Sequence, residues 1–139
     1  MNGHISDSTP SNYDLVANVV WKYSELRYTN TATNEFQNTG VSFTVPANRA
    51  VEFYAYDRKD AAYLDSIVVC DSESNLSTRT TTIISINRIE SDGFTDSQYW
   101  TLQTTGIIPT YNAAVTYYVW VKRRSTGSNP VGLAYRFIS

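Results

Sequence analysis

The sequence is short of the residues on which several kinds of chemistry depend. Among its 139 residues are one cysteine and one histidine. A lone cysteine cannot form an internal disulfide, and Cys70, which ends the apolar run IVVC, is expected to be a small buried hydrophobe. One histidine and one cysteine are too few to supply the nitrogen and sulfur ligands of a zinc site. Because His4 lies in a polar leader, catalysis by a histidine-activated serine or cysteine is not expected either.

Glycine and positive charge are also scarce. The six glycines match neither the dinucleotide-binding nor the P-loop spacing, so no nucleotide cofactor is expected. A formal net charge of −2 and a pI near 5.3 argue against a nucleic-acid partner. The one basic cluster, residues 122–124, lies where a strand is predicted to run out into a loop. We expect it to be a solvated strand end rather than a phosphate site.

Long apolar runs are absent. No run approaches the length that spans a membrane, so membrane insertion is not expected. Residues 1–14 have neither the basic region nor the apolar region of a secretory signal, from which we expect none. Residues 1–12 are polar and are predicted to form a flexible leader. Residues 13–139 are predicted to form a single domain, because a chain of this length can enclose one core.

Short stretches that alternate apolar and polar residues are abundant. The clearest is VSFTVPANRAVEFYAY, which predicts a hairpin of strands 41–45 and 51–56 around a turn. Loops or turns are expected at 57–60 (DRKD), at 71–77 (DSESNLS), at 91–97 (SDGFTDS) and at 125–130. The Thr- and Asn-rich residues 27–40 suit a long loop or a frayed edge strand. Further strands are predicted at 63–70, 81–89, 99–104, 115–124 and 131–138.

Residues 11–26 fit two structures. A capping box at Ser11 and Asp14 would open a helix, whereas Ala17, Val19, Trp21 and Tyr23 make one face of a strand; the content of strand formers favours the strand. This segment completes a set of about eight short strands. The predicted fold is therefore all-β, a single antiparallel β-sandwich or jelly roll.

The eleven tyrosines and three tryptophans are the most unusual feature of the composition. In the strand VTYYVWVKRR, alternation turns Tyr117 and Val119 toward the core and Tyr118 and Trp120 the other way. A face that carries both Tyr118 and Trp120 is too apolar to stay open on a monomer. We expect it to be buried, against another subunit more readily than against a ligand.

A second aromatic face lies on the predicted strand 51–56. Tyr54 and Tyr56 share its outward side, with Arg58 just beyond. Tyr and Trp combine an apolar body with a polar edge, which suits a sugar ring or a protein partner. The residues predicted to form a binding surface or a subunit interface are Tyr54, Tyr56, Arg58, Tyr118 and Trp120.

Paired carboxylates are the one catalytic chemistry that the composition permits, since glycoside hydrolysis needs only two of them. The candidates are Asp57, Asp60, Asp65, Asp71, Glu73, Asp92 and Asp96. All but Asp65 lie in predicted turns, where aspartate is favoured for backbone hydrogen bonding alone, so we expect no enzyme and assign no catalytic residue. Residues 71–75 place oxygen ligands at alternate positions but lack the glycine and the distal glutamate of an EF-hand, and no metal site is assigned.

Two stretches carry a resemblance to a known class of proteins. VSFTVPANRAVEFYAY and the closing YYVWVKRRSTGSNPVGLAYRFIS resemble the small all-β tip and accessory domains of bacteriophage fibres and of tail or head appendages. The resemblance implies a homotrimer that is attached to the virion through its N-terminal segment and binds a host-surface polysaccharide or protein receptor. It supplies no catalytic residue and no cofactor.

The leading hypothesis is therefore a non-enzymatic phage virion appendage domain, made in the host cytoplasm and located in the virion. A free-standing lectin or carbohydrate-binding module would use the same aromatic residues as sugar platforms. A capsid decoration or structural protein would bury them only against neighbouring subunits. A glycan-cleaving enzyme is the last alternative, because turns already explain its carboxylates.

Overall fold

The computed structural model describes residues 21–78, 82–86 and 101–139. These parts of the chain contain eight strands: β1 (Lys22–Asn30), β2 (Phe36–Val45), β3 (Val51–Arg58), β4 (Leu64–Cys70), β5 (Thr82–Ile86), β6 (Thr101–Ile108), β7 (Val115–Arg123) and β8 (Gly127–Phe137). A short 3₁₀ helix, Leu76–Thr78, follows β4. The predicted leader, most of the ambiguous segment 11–26 and the predicted turn at 91–97 lie outside the described residues.

The described strands form two four-stranded antiparallel sheets. Sheet 1 has the order β1-β8-β3-β6, and sheet 2 has the order β2-β7-β4-β5. Each strand of the first half pairs with its mirror in the second half: β1 with β8, β2 with β7, β3 with β6 and β4 with β5. The described strands thus follow the path of one long antiparallel hairpin folded into two layers. The predicted all-β sandwich is confirmed.

The prediction of a hairpin at residues 41–56 is wrong, although both of its strands exist. β2 lies in sheet 2 and β3 lies in sheet 1, so the turn between them crosses from one layer to the other. Val41, Phe43 and Val45 face Val51 and Phe53 across the core instead of beside them in a sheet. Alternation identifies the buried face of each strand, but it does not identify the neighbouring strand.

Of the two structures that residues 27–40 suit, the edge strand is correct and the long loop is not, because most of these residues belong to β1 and β2, the edge strands of the two sheets. β1 continues to Asn30, and β2 begins at Phe36. A β-bulge shifts the pairing of β2 with β7 between Asn38 and Ser42, and Gly40 within it has a φ of +90°, which glycine adopts without strain. The bulge interrupts the two-residue period. The first half of β2 therefore lacks the pattern by which a strand is recognised.

The core lies between the two sheets and is rich in aromatic residues. Phe43 of β2 contacts Phe53, Tyr117 and Tyr135, with ring centroids 6.0, 5.7 and 5.0 Å away. These rings come from both sheets, so they interlock the layers. Burial of Tyr117 confirms the predicted inward face of β7.

Candidate functional site

Part of the outer face of sheet 2, around Trp120, is covered by its own chain. Trp120 points outward from β7, as predicted, but is only 7% exposed because it packs against Val68, Cys70 and Leu76. Its indole Nε1 donates a hydrogen bond to the carbonyl oxygen of Ser72 at 3.0 Å. Residues 72–76, which follow β4, therefore lie over Trp120. The buried, apolar role predicted for Cys70 is confirmed.

The five predicted site residues do not form one surface. Tyr54, Tyr56 and Arg58 belong to β3 in sheet 1, whereas Tyr118 and Trp120 belong to β7 in sheet 2. All five point away from the core, and the outer faces of a sandwich point in opposite directions. The two groups are therefore separate candidate surfaces: Trp120 is buried, whereas Tyr54, Tyr56 and Tyr118 are partly exposed.

The side chains of Tyr54 and Tyr56 lie across sheet 1, each along a row of residues that pair with one another on β3, β8 and β1. Tyr54 pairs with Ala134 of β8, which in turn pairs with Tyr23 of β1, and the Tyr54 hydroxyl donates a hydrogen bond to the Tyr23 hydroxyl at 3.2 Å. In the next row, the Tyr56 hydroxyl reaches over β8 and donates a hydrogen bond to a carboxylate oxygen of Glu25 on β1. Both side chains therefore lie along the surface of the sheet and are fixed at their tips.

Small residues of β8 leave room for these tyrosines. Gly132 pairs with Tyr56, and a Cβ added at Gly132 would lie 2.3 Å from Cζ and the hydroxyl oxygen of Tyr56. Real Cβ atoms do not approach other heavy atoms so closely, so any larger residue at 132 would displace the tyrosine. Ala134, the partner of Tyr54, is completely buried. The small residues at alternate positions of β8 thus leave the space that the side chains of Tyr54 and Tyr56 occupy.

A third row places charges beside the rings. Arg136 of β8 donates a hydrogen bond from Nε to Oε1 of Glu52 on β3 at 2.7 Å. The same guanidinium group lies over the ring of Trp21, 4.6 Å from its centroid, which is a favourable cation–π distance. Trp21 in turn contacts Tyr54 edge to face, with centroids 5.3 Å apart. The charges of Arg136 and Glu52 therefore have partners within the protein.

We call Trp21, Tyr23, Tyr54 and Tyr56 the aromatic patch. Tyr23 is 65% exposed, and the other three rings are partly buried. Arg58 is exposed at the end of β3, beyond Tyr56. Ordered aromatic rings that remain open to solvent, with hydroxyl and carboxylate groups at their edges, are suited to stacking with a ligand and to hydrogen bonding it.

Trp21 and Tyr23 were predicted to share one strand face, but the sequence did not connect them with Tyr54 and Tyr56. The connection arises because β1 and β3 both pair with β8, and the sequence does not indicate that strand order. A usable signal was present in β8. Its outward positions carry Gly132 and Ala134, which leave an unfilled strip that only side chains from neighbouring strands can cover.

The prediction that residues 122–124 form a solvated strand end is wrong for Arg123, whose side chain is completely buried. Its Nε and Nη2 donate to the two carboxylate oxygens of Asp57 at 3.0 and 2.9 Å. Its Nη1 donates to the carbonyl oxygen of Tyr28 at 2.8 Å and to Oδ1 of Asn30 at 3.0 Å. Asp57, predicted to lie in a turn, belongs to β3, so this pair links the two sheets.

Three of the carboxylates considered for catalysis are engaged in ion pairs. The pairs are Asp57 with Arg123, Asp60 with Arg27 and Asp65 with Lys122, with N–O distances of 2.9, 2.6 and 3.4 Å. Asp92 and Asp96 lie outside the described residues.

Among the residues that the structure describes, no group of three or more His, Cys, Asp or Glu could hold a metal ion, and no helix is long and apolar enough to cross a membrane.

The environment of the Tyr56 hydroxyl leads to a prediction for the stability of the protein at alkaline pH. Burial, followed by the hydrogen bond to Glu25, raises the pKa of Tyr56 from 10.0 to about 12. Between these values the unfolded chain loses this proton and the folded chain keeps it. Because the folded state then binds more protons, the free energy of unfolding should fall as the pH rises through this window.

Urea unfolding at a series of alkaline pH values measures this slope. Tyr56→Phe removes the ionisable group and keeps the ring, so we expect a shallower dependence on pH for this variant. Equal slopes for the two proteins would contradict the role assigned to the Tyr56 proton.

Comparison with known proteins relates the chain to others by fold. No family model matches the sequence, and no curated protein matches it. Among solved structures, the chain is similar to VP2 in a subviral particle of infectious bursal disease virus, with 10% identity and a TM-score of 0.51. The match covers 88% of this chain and 33% of the VP2 chain, so the chain spans about a third of VP2. At this identity the similarity extends to the fold alone.

Two further structures have lower TM-scores. A chain of the cyanophage Pam1 capsid asymmetric unit is 18% identical, with a TM-score of 0.45, over 86% of this chain and 84% of that one. The K1 cleaved adhesin domain of Lys-gingipain from Porphyromonas gingivalis W83 is 11% identical, with a TM-score of 0.41, over 86% of this chain and 92% of that one.

Proposed function

We propose that the chain is a non-enzymatic β-domain of a bacteriophage virion appendage, which attaches the particle to a polysaccharide or protein on the host surface. The aromatic patch is the attachment surface in this proposal. The observation that carries it is the difference between the two outer faces: Trp120 on sheet 2 is covered by its own chain, whereas Tyr23 on sheet 1 is 65% exposed beside rings that are already fixed. Fixed rings lose little conformational entropy on binding.

A location in the virion is supported by the fold. The four mirrored strand pairs are what winding a long hairpin into an eight-stranded jelly roll produces, and this architecture is common in viral capsid domains. The similarity to part of VP2 and the resemblance to phage appendage domains point the same way. In this proposal the N-terminal segment joins the domain to other virion proteins.

The homotrimer remains a prediction that rests on the resemblance. The sequence supported a trimer because the face with Tyr118 and Trp120 needs to be buried against something. In the structure, residues 72–76 of the same chain already bury Trp120. A light-scattering mass of three chains would support the trimer. A mass of one chain would remove it without affecting the attachment surface.

Binding of the fluorescently labelled chain to intact bacteria tests the attachment role. We expect the wild-type chain to bind some members of a broad panel of Gram-negative and Gram-positive cells. The double variant Tyr54→Ala, Tyr56→Ala should lose this binding. Tyr111→Ala is the matched control, because Tyr111 is an exposed tyrosine in the loop between β6 and β7, outside the aromatic patch.

Each result has a definite meaning. Loss of binding in the double variant alone would support attachment through the aromatic patch. Equal binding by all three proteins would assign attachment to another surface. No binding to any cell of the panel would contradict the attachment role and favour a capsid decoration or structural role.

A further inference from the structure

We infer that the aromatic patch binds an uncharged, extended polysaccharide chain, with neighbouring sugar rings stacked on Tyr54 and Tyr56. This inference rests on the proposed function and specifies the class of ligand that the attachment surface takes. It is carried by the arrangement of the two tyrosines, by the pairing of the charges around them and by the shape of the surface.

The two rings form a short linear platform. Their centroids are 6.2 Å apart along β3, and their planes differ by 30°. Since both side chains cross β8 and are held at their hydroxyl groups, the platform is low, follows the strand and exists before the ligand arrives. A pyranose ring has an apolar C–H face that stacks on an aromatic ring. Successive rings in line therefore match successive sugars of an extended chain.

The charges around the platform favour an uncharged ligand. Glu52 is paired with Arg136, Glu25 accepts a hydrogen bond from Tyr56, and the exposed Arg58 on the other side of Tyr56 opposes the charge of Glu25. An acidic polysaccharide would meet the Glu25 carboxylate at the edge of the platform, whereas a neutral one meets groups that can accept or donate hydrogen bonds to its hydroxyls. The exposed threonines of β6, Thr101 and Thr105, extend this polar margin beside β3.

The shape of the surface favours the interior of a chain over a terminal sugar or a protein. A terminal sugar is held in a concave pocket, whereas the side chains of Tyr54 and Tyr56 lie across the surface of a sheet. A stable protein interface buries about 800 Å² on each partner and has few charges at its centre. Here the row of Glu52 and Arg136 adjoins the row of Tyr54, and Glu25 lies at the hydroxyl end of Tyr56.

Gly132→Ala provides a sharp test because it moves a ring without removing it. The added Cβ would collide with the end of the Tyr56 side chain, which can swing away from the sheet, while alanine loses less backbone entropy in a strand than glycine does. We expect the fold to be kept and the platform to be broken. Tyr56→Phe is the matched control, since it keeps the ring and loses only the hydrogen bond to Glu25.

Affinity electrophoresis and calorimetry measure the effect on the full chain. The probes are neutral glucans and galactomannans with different linkages, oligosaccharides of increasing length, and acidic alginate. We expect binding of at least one neutral polymer, an affinity that rises with length until two rings are spanned, and no binding of alginate. Gly132→Ala and Tyr56→Ala should each weaken binding about ten-fold, and Tyr56→Phe much less.

The outcomes separate this inference from the proposed function. Equal binding by Gly132→Ala and wild type, or preference for alginate, would overturn the platform. If cells are bound through Tyr54 and Tyr56 but no neutral polysaccharide binds, the inference fails and the attachment role stands. If neither cells nor polysaccharides bind, both fail. Thermal unfolding of each variant ensures that a loss of binding is not a loss of fold.

Discussion

Arg123→Met is expected to lower the free energy of unfolding by about 3–5 kcal/mol, the usual cost of removing one partner from a buried ion pair. Arg123 and Asp57 are both almost completely inaccessible, and each carboxylate oxygen accepts one hydrogen bond from the guanidinium group. Without Arg123 the Asp57 carboxylate would be left charged in the core. The carbonyl oxygen of Tyr28 and Oδ1 of Asn30 would also lose a donor.

The double variant Asp57→Leu, Arg123→Met should recover part of this loss. Burial raises the pKa of Asp57, because desolvation of its carboxylate outweighs the opposing effect of Arg123. The pair is therefore costly to bury, and an apolar pair of similar volume avoids that cost. The bonds from Arg123 to Tyr28 and Asn30 are not restored, which keeps the recovery incomplete.

Arg27→Ala is the control for the first prediction. Arg27 also pairs with an aspartate, Asp60, at an N–O distance of 2.6 Å, but both side chains are about half exposed. An exposed pair contributes up to about 1 kcal/mol. Urea unfolding of the three variants gives the comparison, and equal losses for Arg27→Ala and Arg123→Met would contradict the inter-sheet role of Arg123.

The fold class was predictable because alternation reports burial directly. Val41, Phe43 and Val45 read as one buried face, and so do Val51, Phe53 and Ala55; both faces do line the core. What alternation omits is which strands are neighbours. A crossing between layers and a hairpin within one layer bury the same residues, so the turn at 46–50 gave no basis for choosing between them.

The ion pair of Asp57 and Arg123 could not be predicted from the sequence for a related reason. Arg123 continues the inward period of Tyr117, Val119 and Val121, and Asp57 continues that of Phe53 and Ala55, so the pattern itself placed both side chains inside. Each nevertheless read as solvated, because Arg and Asp are rarely buried without a partner. The partner lies 66 residues away in the sequence. Only the packing of β3 over β7 brings the two together.

The aromatic patch was half predictable. Tyr54 and Tyr56 were identified from their own strand, whereas Trp21 and Tyr23 join them through β8. On the outward face of β7, the prediction of burial is correct for Trp120, whereas Tyr118 is only partly buried. No pattern in the sequence indicated DSESNLS as the cover, since that segment has one large apolar residue, Leu76, which proves to be the one that packs there.

Trp120→Ala is expected to lower the free energy of unfolding by about 3–5 kcal/mol, as truncation of a large buried aromatic side chain does. The indole fills the space between Val68, Cys70 and Leu76, and its Nε1 holds the carbonyl oxygen of Ser72. Loss of the ring leaves a cavity and removes one of the contacts that hold residues 72–76 on sheet 2, while the hydrogen bond from Asn38 to the carbonyl oxygen of Glu73 remains. Trp120→Phe keeps most of the packing and loses the hydrogen bond, so a smaller cost is expected.

Chemical unfolding together with the light-scattering mass distinguishes the two roles considered for Trp120. Tyr111→Ala is the control, because an exposed tyrosine should change stability by no more than about 0.5 kcal/mol. If Trp120 is covered by its own chain, Trp120→Ala loses stability at every protein concentration and its mass equals that of the wild type. A variant that keeps its stability but dissociates into smaller species would instead show that Trp120 is buried between subunits.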